Sequence, residues 1–171
     1  MDDSLTRLLR RLLQEQHTAA LGTVHQGDPQ VSMVPFVVVT EAEAPSAAFL
    51  IHVSGLSAHT RQMRDHPKVS LMVTMNERAL DDNGQPYLPQ ALPRLTLQAT
   101  ATFIDRQTQD YALGKAAYLA RFPVTGPIFE LPDFSLVRLR PEAIRFIAGF
   151  GSAHSLKPEA LRTIARQIAS A

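Results

Sequence analysis

The stretch that decides the fold is FLIHVSGLSAHTRQMRDHPKVSLMV, residues 49–73. Its first residues are apolar apart from one histidine, which predicts a strand buried on both faces. A Ser-Gly pair then predicts a turn, and Ser57 is a good N-cap for a helix over 58–65. Pro67 disfavours helical backbone at the residue before it, so the helix ends there and a second strand begins at Lys68. The stretch is therefore predicted to be a strand–turn–helix–strand unit.

The predicted start of this helix carries side chains that suit a phosphate group: Ser57, His59, Thr60 and Arg61. The first N–H groups of a helix have no partner within it, and they lie at the positive end of the helix dipole. Gly55 lets the backbone approach a ligand closely. The alternative is that Ser57 is only the cap of a surface helix. Composition alone favours that alternative, because capped basic helices are common.

Apolar periodicity on both sides of this stretch predicts seven strands and four helices. The predicted strands are 18–24, 30–39, 48–53, 68–75, 94–104, 133–139 and 142–148, and the predicted helices are 4–16, 58–65, 107–121 and 158–169. Ser4 is the expected cap of the first helix. The strands come in neighbouring runs, which indicates an α+β fold, mainly antiparallel β, with peripheral helices. Without a repeat or a shift in composition, residues 1–171 are expected to form a single domain.

Three stretches interrupt this periodicity. Pro35 cannot donate to a sheet ladder, so it predicts an edge, a bulge or a place where backbone faces a ligand. Residues 77–93 contain three prolines and an Asp-Asp-Asn-Gly run, and a loop of this length is usually functional or mobile. Residues 149–153 are predicted to be a glycine-bracketed loop.

Composition limits the classes of function. The chain has 171 residues, a formal net charge of +1 and no cysteine. The charge gives no polyelectrolyte signature for nucleic acid, and the lack of cysteine excludes disulfides, a thiol nucleophile and thiolate metal sites. Neither a signal peptide nor a membrane-spanning run is visible, so we expect no membrane partner and a cytoplasmic location.

Two further residues have open interpretations. His52 lies on an apolar strand and is expected to be a hydrogen-bonded core histidine. Arg94 opens a strand directly after the proline-rich loop, where it is either an exposed rim charge or a ligand contact. No pair among the six histidines has a metalloprotease spacing, and no serine has a nucleophile-elbow context.

The order of these pieces resembles the FMN-binding split barrel of the pyridoxamine phosphate oxidase-like superfamily, and its C-terminal part resembles the haem-utilisation branch. The segments that carry the resemblance are 27–36, 51–71, 94–101, 131–139 and 146–153. It implies a split β-barrel that forms a homodimer with FMN at the interface. It also implies a flavin-dependent oxidoreductase acting on a small-molecule substrate that the sequence does not identify.

The resemblance also implies roles for individual residues. Ser57, His59, Thr60 and Arg61 would hold the FMN phosphate, and Arg94 would approach the flavin from the partner subunit. The residues that would flank the ring and the ribityl chain are Met33, Val34, Pro35, Val53 and Ser54. The oxidases have an Arg-Lys pair where this chain has Ala58 and His59, so FMN is expected to bind more weakly here and more tightly as His59 becomes protonated.

A second function is compatible with the same fold. His154 follows the glycine loop, near the position where haem-utilising relatives carry a histidine ligand. An axial histidine is what a haem site requires from the chain. A third alternative is a dimer that keeps the barrel and binds neither FMN nor haem.

Overall fold

The computed structural model describes residues 2–41, 44 and 46–169. Over these residues it has eight strands, four α-helices and two 3₁₀ segments. The strands are β1 (Thr18–His25), β2 (Asp28–Pro35), β3 (Val37–Thr40), β4 (Ala47–Ser54), β5 (Lys68–Thr74), β6 (Arg94–Phe103), β7 (Phe134–Gly149) and β8 (Ser152–Ser155). The helices are α1 (Asp3–Glu15), α2 (Ala58–Asp65), α3 (Gln109–Arg121) and α4 (Pro158–Ala169), and the 3₁₀ segments are Pro89–Ala91 and Pro123–Glu130.

All strand pairs are antiparallel, in the order β2-β1-β5-β6-β7-β4-β3, with β8 added to β7. The two ends of this order, β2 and β3, follow one another in the chain but do not pair, so the sheet is not closed. The predicted α+β fold with a mainly antiparallel sheet is therefore confirmed, and the sheet has the open form of a split barrel.

The gap in the sheet lies where the sequence predicted one continuous strand over 30–39. That prediction was wrong, because β2 ends at Pro35 and β3 begins at Val37. Pro35 has no N–H to continue the ladder and lies on the edge strand. Phe36 between them is fully buried; its N–H donates to His17 O (3.2 Å), and its ring lies 5.8 Å from that of Phe49. The chain thus crosses the gap in the sheet with the side chain of Phe36 in the core.

Two apolar clusters lie on opposite faces of the sheet. The larger one fills the concave side and includes the leucines of α1 and the apolar face of α4. The smaller one lies under α3 and the second 3₁₀ segment, against Leu50 and Leu136. β4 contributes to both, and seven of its eight residues are buried, as the sequence predicted.

The C-terminal strands differ from the prediction. Residues 133–139 and 142–148 are not two strands but one, β7, because Pro141 is accommodated beside an irregularity in the pairing with β6. Residues 149–153 are not a free loop. Only residues 150 and 151 lie outside the strands, as the turn of a β7–β8 hairpin in which Gly149 and Gly151 have φ of 156° and 72°. An L residue at Gly151 would be strained.

The helix ends show two departures. Asp2, rather than Ser4, caps α1 by accepting from Leu5 N–H. Thr108 caps α3, which begins two residues later than predicted. Within the described residues, no helix is long and apolar enough to cross a membrane.

Candidate functional site

The turn between β4 and α2 is fixed by Asp133, a residue that precedes β7. Gly55 N–H donates to Asp133 O (2.6 Å), and Ser54 Oγ donates to Asp133 Oδ2 (2.7 Å). A Cβ at residue 55 would lie only 3.0 Å from Asp133 O, so the close approach requires glycine. The predicted phosphate turn is therefore held by a carboxylate, which carries the same charge sign as a phosphate.

The hydroxyl groups at the start of α2 differ in availability. Thr60 is buried, and its Oγ1 donates to Ser54 O (2.6 Å). Ser57 occupies the N-cap position, as predicted, but its side chain makes no capping hydrogen bond. Arg61 is exposed, and its Nη1 donates to Leu56 O (2.9 Å). Ser57 and the rest of the Arg61 guanidinium remain as side-chain donors for an anion.

His59 is half-buried beside these groups. Burial lowers the pKa of its imidazole below the usual value of 6.5. The side chain is therefore neutral at neutral pH and adds no fixed positive charge. The start of α2 therefore carries less positive charge than the Arg-Lys pair of the oxidases would give it.

The opposite face of α2 carries a polar contact that the sequence analysis missed. Gln62 is buried; its Oε1 accepts from Thr23 Oγ1 (2.6 Å), and its Nε2 donates to Gln30 Oε1 (2.7 Å). These bonds fix α2 against the β1–β2 hairpin. A cavity of about 370 Å³ lies beside them, lined in part by Arg61 and Asp65. No local pattern marks Gln62, because its partners come from another part of the chain.

The residues predicted to flank a flavin ring differ in exposure. Val34 and Val53 are buried in the core, so only their backbone is able to meet a ligand. Met33 is 67% exposed, and Pro35 is exposed at the sheet edge. Met33 borders a shallow cavity of about 350 Å³ on the outer face of β1, β2 and β5, together with Val31 and Met72.

Arg94 lies far from the α2 turn within one subunit. Ser54 pairs with Phe134 and Arg94 pairs with Ile147, near the two ends of the 16-residue strand β7. At about 3.3 Å per residue this separation is up to roughly 40 Å along the strand. The Arg94 guanidinium instead donates to Gln90 O (3.2 Å) and Leu92 O (3.0 Å). Within one subunit, Arg94 and the α2 turn therefore lie towards opposite ends of β7.

His154 lies on β8, at the same end of the sheet as Arg94. It pairs with Phe146, which in turn pairs with Leu95. The imidazole is half-buried, and its Nε2 is 2.8 Å from Ser152 Oγ. A cavity of about 460 Å³ adjoins His154, between Leu5 of α1 and the start of α4. Sequence analysis did not identify Ser152, because residues 149–153 were predicted to be a loop. In a strand, residues 152 and 154 would have been expected on the same face.

Comparison with known proteins identifies the family of the chain. A family profile described as Pyridoxamine 5'-phosphate oxidase matches residues 5–148. A protein named heme oxygenase HutZ from Vibrio cholerae serotype O1 is 30% identical over 155 residues, which cover 90% of this chain and 81% of HutZ. A solved structure described as HutZ, the heme storage protein from Vibrio cholerae, has a TM-score of 0.68 at 30% identity and covers 81% of this chain and 90% of that one.

Two other similarities are partial. A protein named non-canonical heme oxygenase HOZ, chloroplastic, from Arabidopsis thaliana is 29% identical over 129 residues, and the match spans 75% of this chain but 35% of HOZ. A structure of a heme-binding protein from Mycobacterium smegmatis has a TM-score of 0.75 at 22% identity. It covers 95% of this chain and 62% of that chain, so this chain spans less than two thirds of it. The profile match and the HutZ identity together show that the chain belongs to the pyridoxamine 5'-phosphate oxidase family.

Proposed function

We propose that the chain is a haem-binding protein in which His154 is the axial ligand of the iron. The observation that carries the proposal is the half-buried imidazole of His154, whose only hydrogen-bond partner among the described residues is the Ser152 hydroxyl. An imidazole at the edge of a cavity fits a haem iron. The relatives that are named heme oxygenases support haem as the ligand.

In this proposal each residue of the hairpin has a defined task. His154 binds the iron, and Ser152 holds the ring until the ligand enters. Gly149 and Gly151 form the turn that brings β8 back along β7. Haem, when bound, would supply the redox chemistry of its iron, and the chain would supply the residues that hold it. Haem is then also the proposed substrate class, by analogy with the relatives named oxygenases.

An FMN-dependent oxidoreductase is the second candidate. The family match favours it. The first turn of α2 also favours it, because hydrogen bonds within the described residues do not use all the donors of Ser57, Arg61 and the first N–H groups. The fit to a phosphate is poorer than the sequence suggested. Thr60 donates to the backbone, Ser54 donates to Asp133, and His59 is neutral at neutral pH.

A homodimer is part of both candidates. The separation between Arg94 and the α2 turn means that the predicted FMN site is complete only if a partner subunit supplies Arg94. The outer face of β1, β2 and β5 also exposes apolar side chains, including Val31 (74%), Met33 (67%) and Met72 (39%). Burying them against a second copy would remove apolar surface from water. Light scattering of the purified protein would measure the subunit number.

Titration of ferric haem into the purified protein tests the main proposal. We expect a Soret band that saturates in the wild type and is lost or shifted in His154→Ala. The matched control is His66→Ala, because His66 is exposed and lies after α2, away from the hairpin. FMN is titrated in parallel by fluorescence quenching. A His154→Ala protein with the wild-type Soret spectrum and affinity would overturn the haem assignment.

A further inference from the structure

A cleft of about 660 Å³ lies beside the Ser152–His154 pair, between α1, the 77–93 segment and the β7–β8 turn. Ser152 lines this cleft, and its hydroxyl is 2.8 Å from His154 Nε2. His154 itself lines the neighbouring cavity of about 460 Å³, which shares Leu5 with the cleft, and its Nε2 is bonded to a residue of the cleft wall. The volume of the cleft lies within the range of small-molecule sites.

The wall of the cleft formed by the 77–93 segment is held by hydrogen bonds. Asp81 Oδ1 accepts from the N–H groups of Asn83 (2.9 Å) and Gln85 (2.8 Å), and Gly84 has φ of 74° in the same turn. Arg11 Nη1 donates to Leu80 O (3.1 Å), which joins the segment to α1. Residues 80–85 of this segment thus form a hydrogen-bonded turn that is joined to α1.

The α1 wall of the cleft presents three arginines. Arg11 is already used, because its Nε also pairs with Glu15 (2.9 Å). Arg7 and Arg10 also line the cleft and have neither a hydrogen bond nor an ion pair with any residue in the described part of the chain. They are three positions apart, so their side chains lie on one face of the helix.

Other groups in the cleft leave these two cations available. The Asp81 carboxylate is engaged by backbone N–H groups, and Glu15 is paired with Arg11, so Asp82 is the acid that opposes them. Tyr87 also lines the cleft, and partial burial raises the pKa of its hydroxyl, which remains a neutral donor. The cleft thus combines two guanidinium groups, one opposing carboxylate and a neutral donor, and this excess of donors suits a ligand with carboxylates.

We propose that Arg7 and Arg10 bind the propionate carboxylates of haem, with the carboxylate edge in this cleft and the iron at His154. The inference rests on the haem-binding function proposed above. It assigns the 77–93 segment the role of the wall opposite the arginines. It also gives a ligand role to Arg7 and Arg10, which the sequence alone predicts to be part of the solvated face of α1.

The test compares haemin with haemin dimethyl ester, which lacks the carboxylate charges. Both are titrated into the wild type, Arg7→Gln, Arg10→Gln and the double variant, and the Soret band is followed. Glutamine is a helix former comparable to arginine, so α1 is expected to persist. Arg166→Gln is the matched control, because Arg166 is exposed on α4 and does not line the cleft.

We expect the double variant to bind haemin about tenfold more weakly than the wild type, with the single variants between them. The affinity for the dimethyl ester should be the same in all variants, and the Soret position should not change. Unchanged haemin affinity in the double variant would overturn the proposal. Equal weakening for both ligands would also overturn it, because it would show an effect of the fold and not of the carboxylates.

The outcome separates this inference from the function on which it rests. A wild type that does not bind haemin, or a His154→Ala variant that binds it as the wild type does, would refute both. Loss of binding in His154→Ala together with normal binding in the arginine double variant would refute only the role of the arginines.

Discussion

The β4–α2 segment (residues 52–62) and the β8 hairpin (residues 149–155) use their polar side chains in opposite ways. In the β4–α2 segment, Ser54, Thr60 and Gln62 bond to other parts of the same chain. In the β8 hairpin, the side chains of Ser152 and His154 bond, within the described part of the chain, to each other alone, and they adjoin two cavities. The β4–α2 segment, which the sequence predicted to bind phosphate, therefore has few side-chain donors left for a ligand. The types of side chain at a helix start do not show whether their donors are available.

His52, the buried histidine of the β4–α2 segment, makes the contrast with His154 measurable. His52 is 9% exposed and stacks on Phe129 with ring centroids 3.8 Å apart, and its Nε2 has no hydrogen-bond partner. It is a core histidine, as expected, but that nitrogen is not hydrogen-bonded. Burial, followed by the charges of Arg106 and Lys115, lowers the pKa of His52 to about 4.

Acid should therefore destabilise the fold through His52. Because the pKa is lower in the folded protein than in the unfolded chain, the stabilisation is complete above about pH 6.5 and is lost as the pH falls towards 4. The expected loss is roughly 2–3 kcal/mol. Urea unfolding of the wild type and of His52→Phe, which keeps an aromatic ring against Phe129, measures it at pH 7 and pH 4.5. An equally steep loss in both proteins would contradict the assignment.

Replacing Gln62 should show how far the β4–α2 segment depends on its own hydrogen bonds. Gln62→Leu keeps a similar volume but removes the partners of Thr23 and Gln30, and Thr23 is buried. We expect a loss of about 2 kcal/mol in unfolding free energy and a Tm lower by about 4–8 °C. Gln98→Leu on the exposed side of β6 is the control. Equal Tm values for the two variants would show that the Gln62 contacts contribute little.

Much of the fold could be predicted because it depends on local periodicity. The bounds of α2 and the burial of β4 follow from apolar spacing, a cap position and one proline. The break at Phe36 was missed because Pro35 is compatible with an edge, a bulge or a ligand contact, and only the sheet order decides among them. The prediction divided β7 into two strands because a proline usually interrupts a strand. The pairing of Pro141 with β6, which allows one continuous strand, is not visible in the sequence.

The candidate site was less predictable than the fold, because the state of each donor depends on distant residues. Ser54 and Asp133 are 79 positions apart in the sequence. A sequence pattern shows that Ser54 has a hydroxyl, but it does not show that a carboxylate accepts from it. The roles of Met33, Val34, Pro35, Val53, Ser57, His59, Arg61 and Arg94 towards FMN stay predictions.

Removing the charge of Asp133 should improve the β4–α2 segment as an anion site. Asp133→Asn keeps an oxygen that accepts from Ser54 Oγ, and the bond from Gly55 N–H is to the backbone carbonyl. Without the negative charge beside the start of α2, we expect FMN to bind roughly fivefold more tightly at low salt. Fluorescence quenching measures this, and haem affinity should not change. An unchanged FMN affinity would mean that the phosphate does not approach this turn.

Ser152→Ala should have the smallest effect, and its sign is informative. If the hydroxyl donates to His154 Nε2, haem must displace it, and its removal should tighten haem binding about threefold because one hydrogen bond no longer competes with the iron. We expect this result, since Nε2 is bonded to Ser152, a residue of the cleft wall. Weaker binding would show instead that the hydroxyl accepts from Nε2–H and orients the ring, so that Nδ1 binds the iron. Thr102→Ala is the control, because Thr102 is exposed on β6 and lines neither the cleft nor the cavity beside His154.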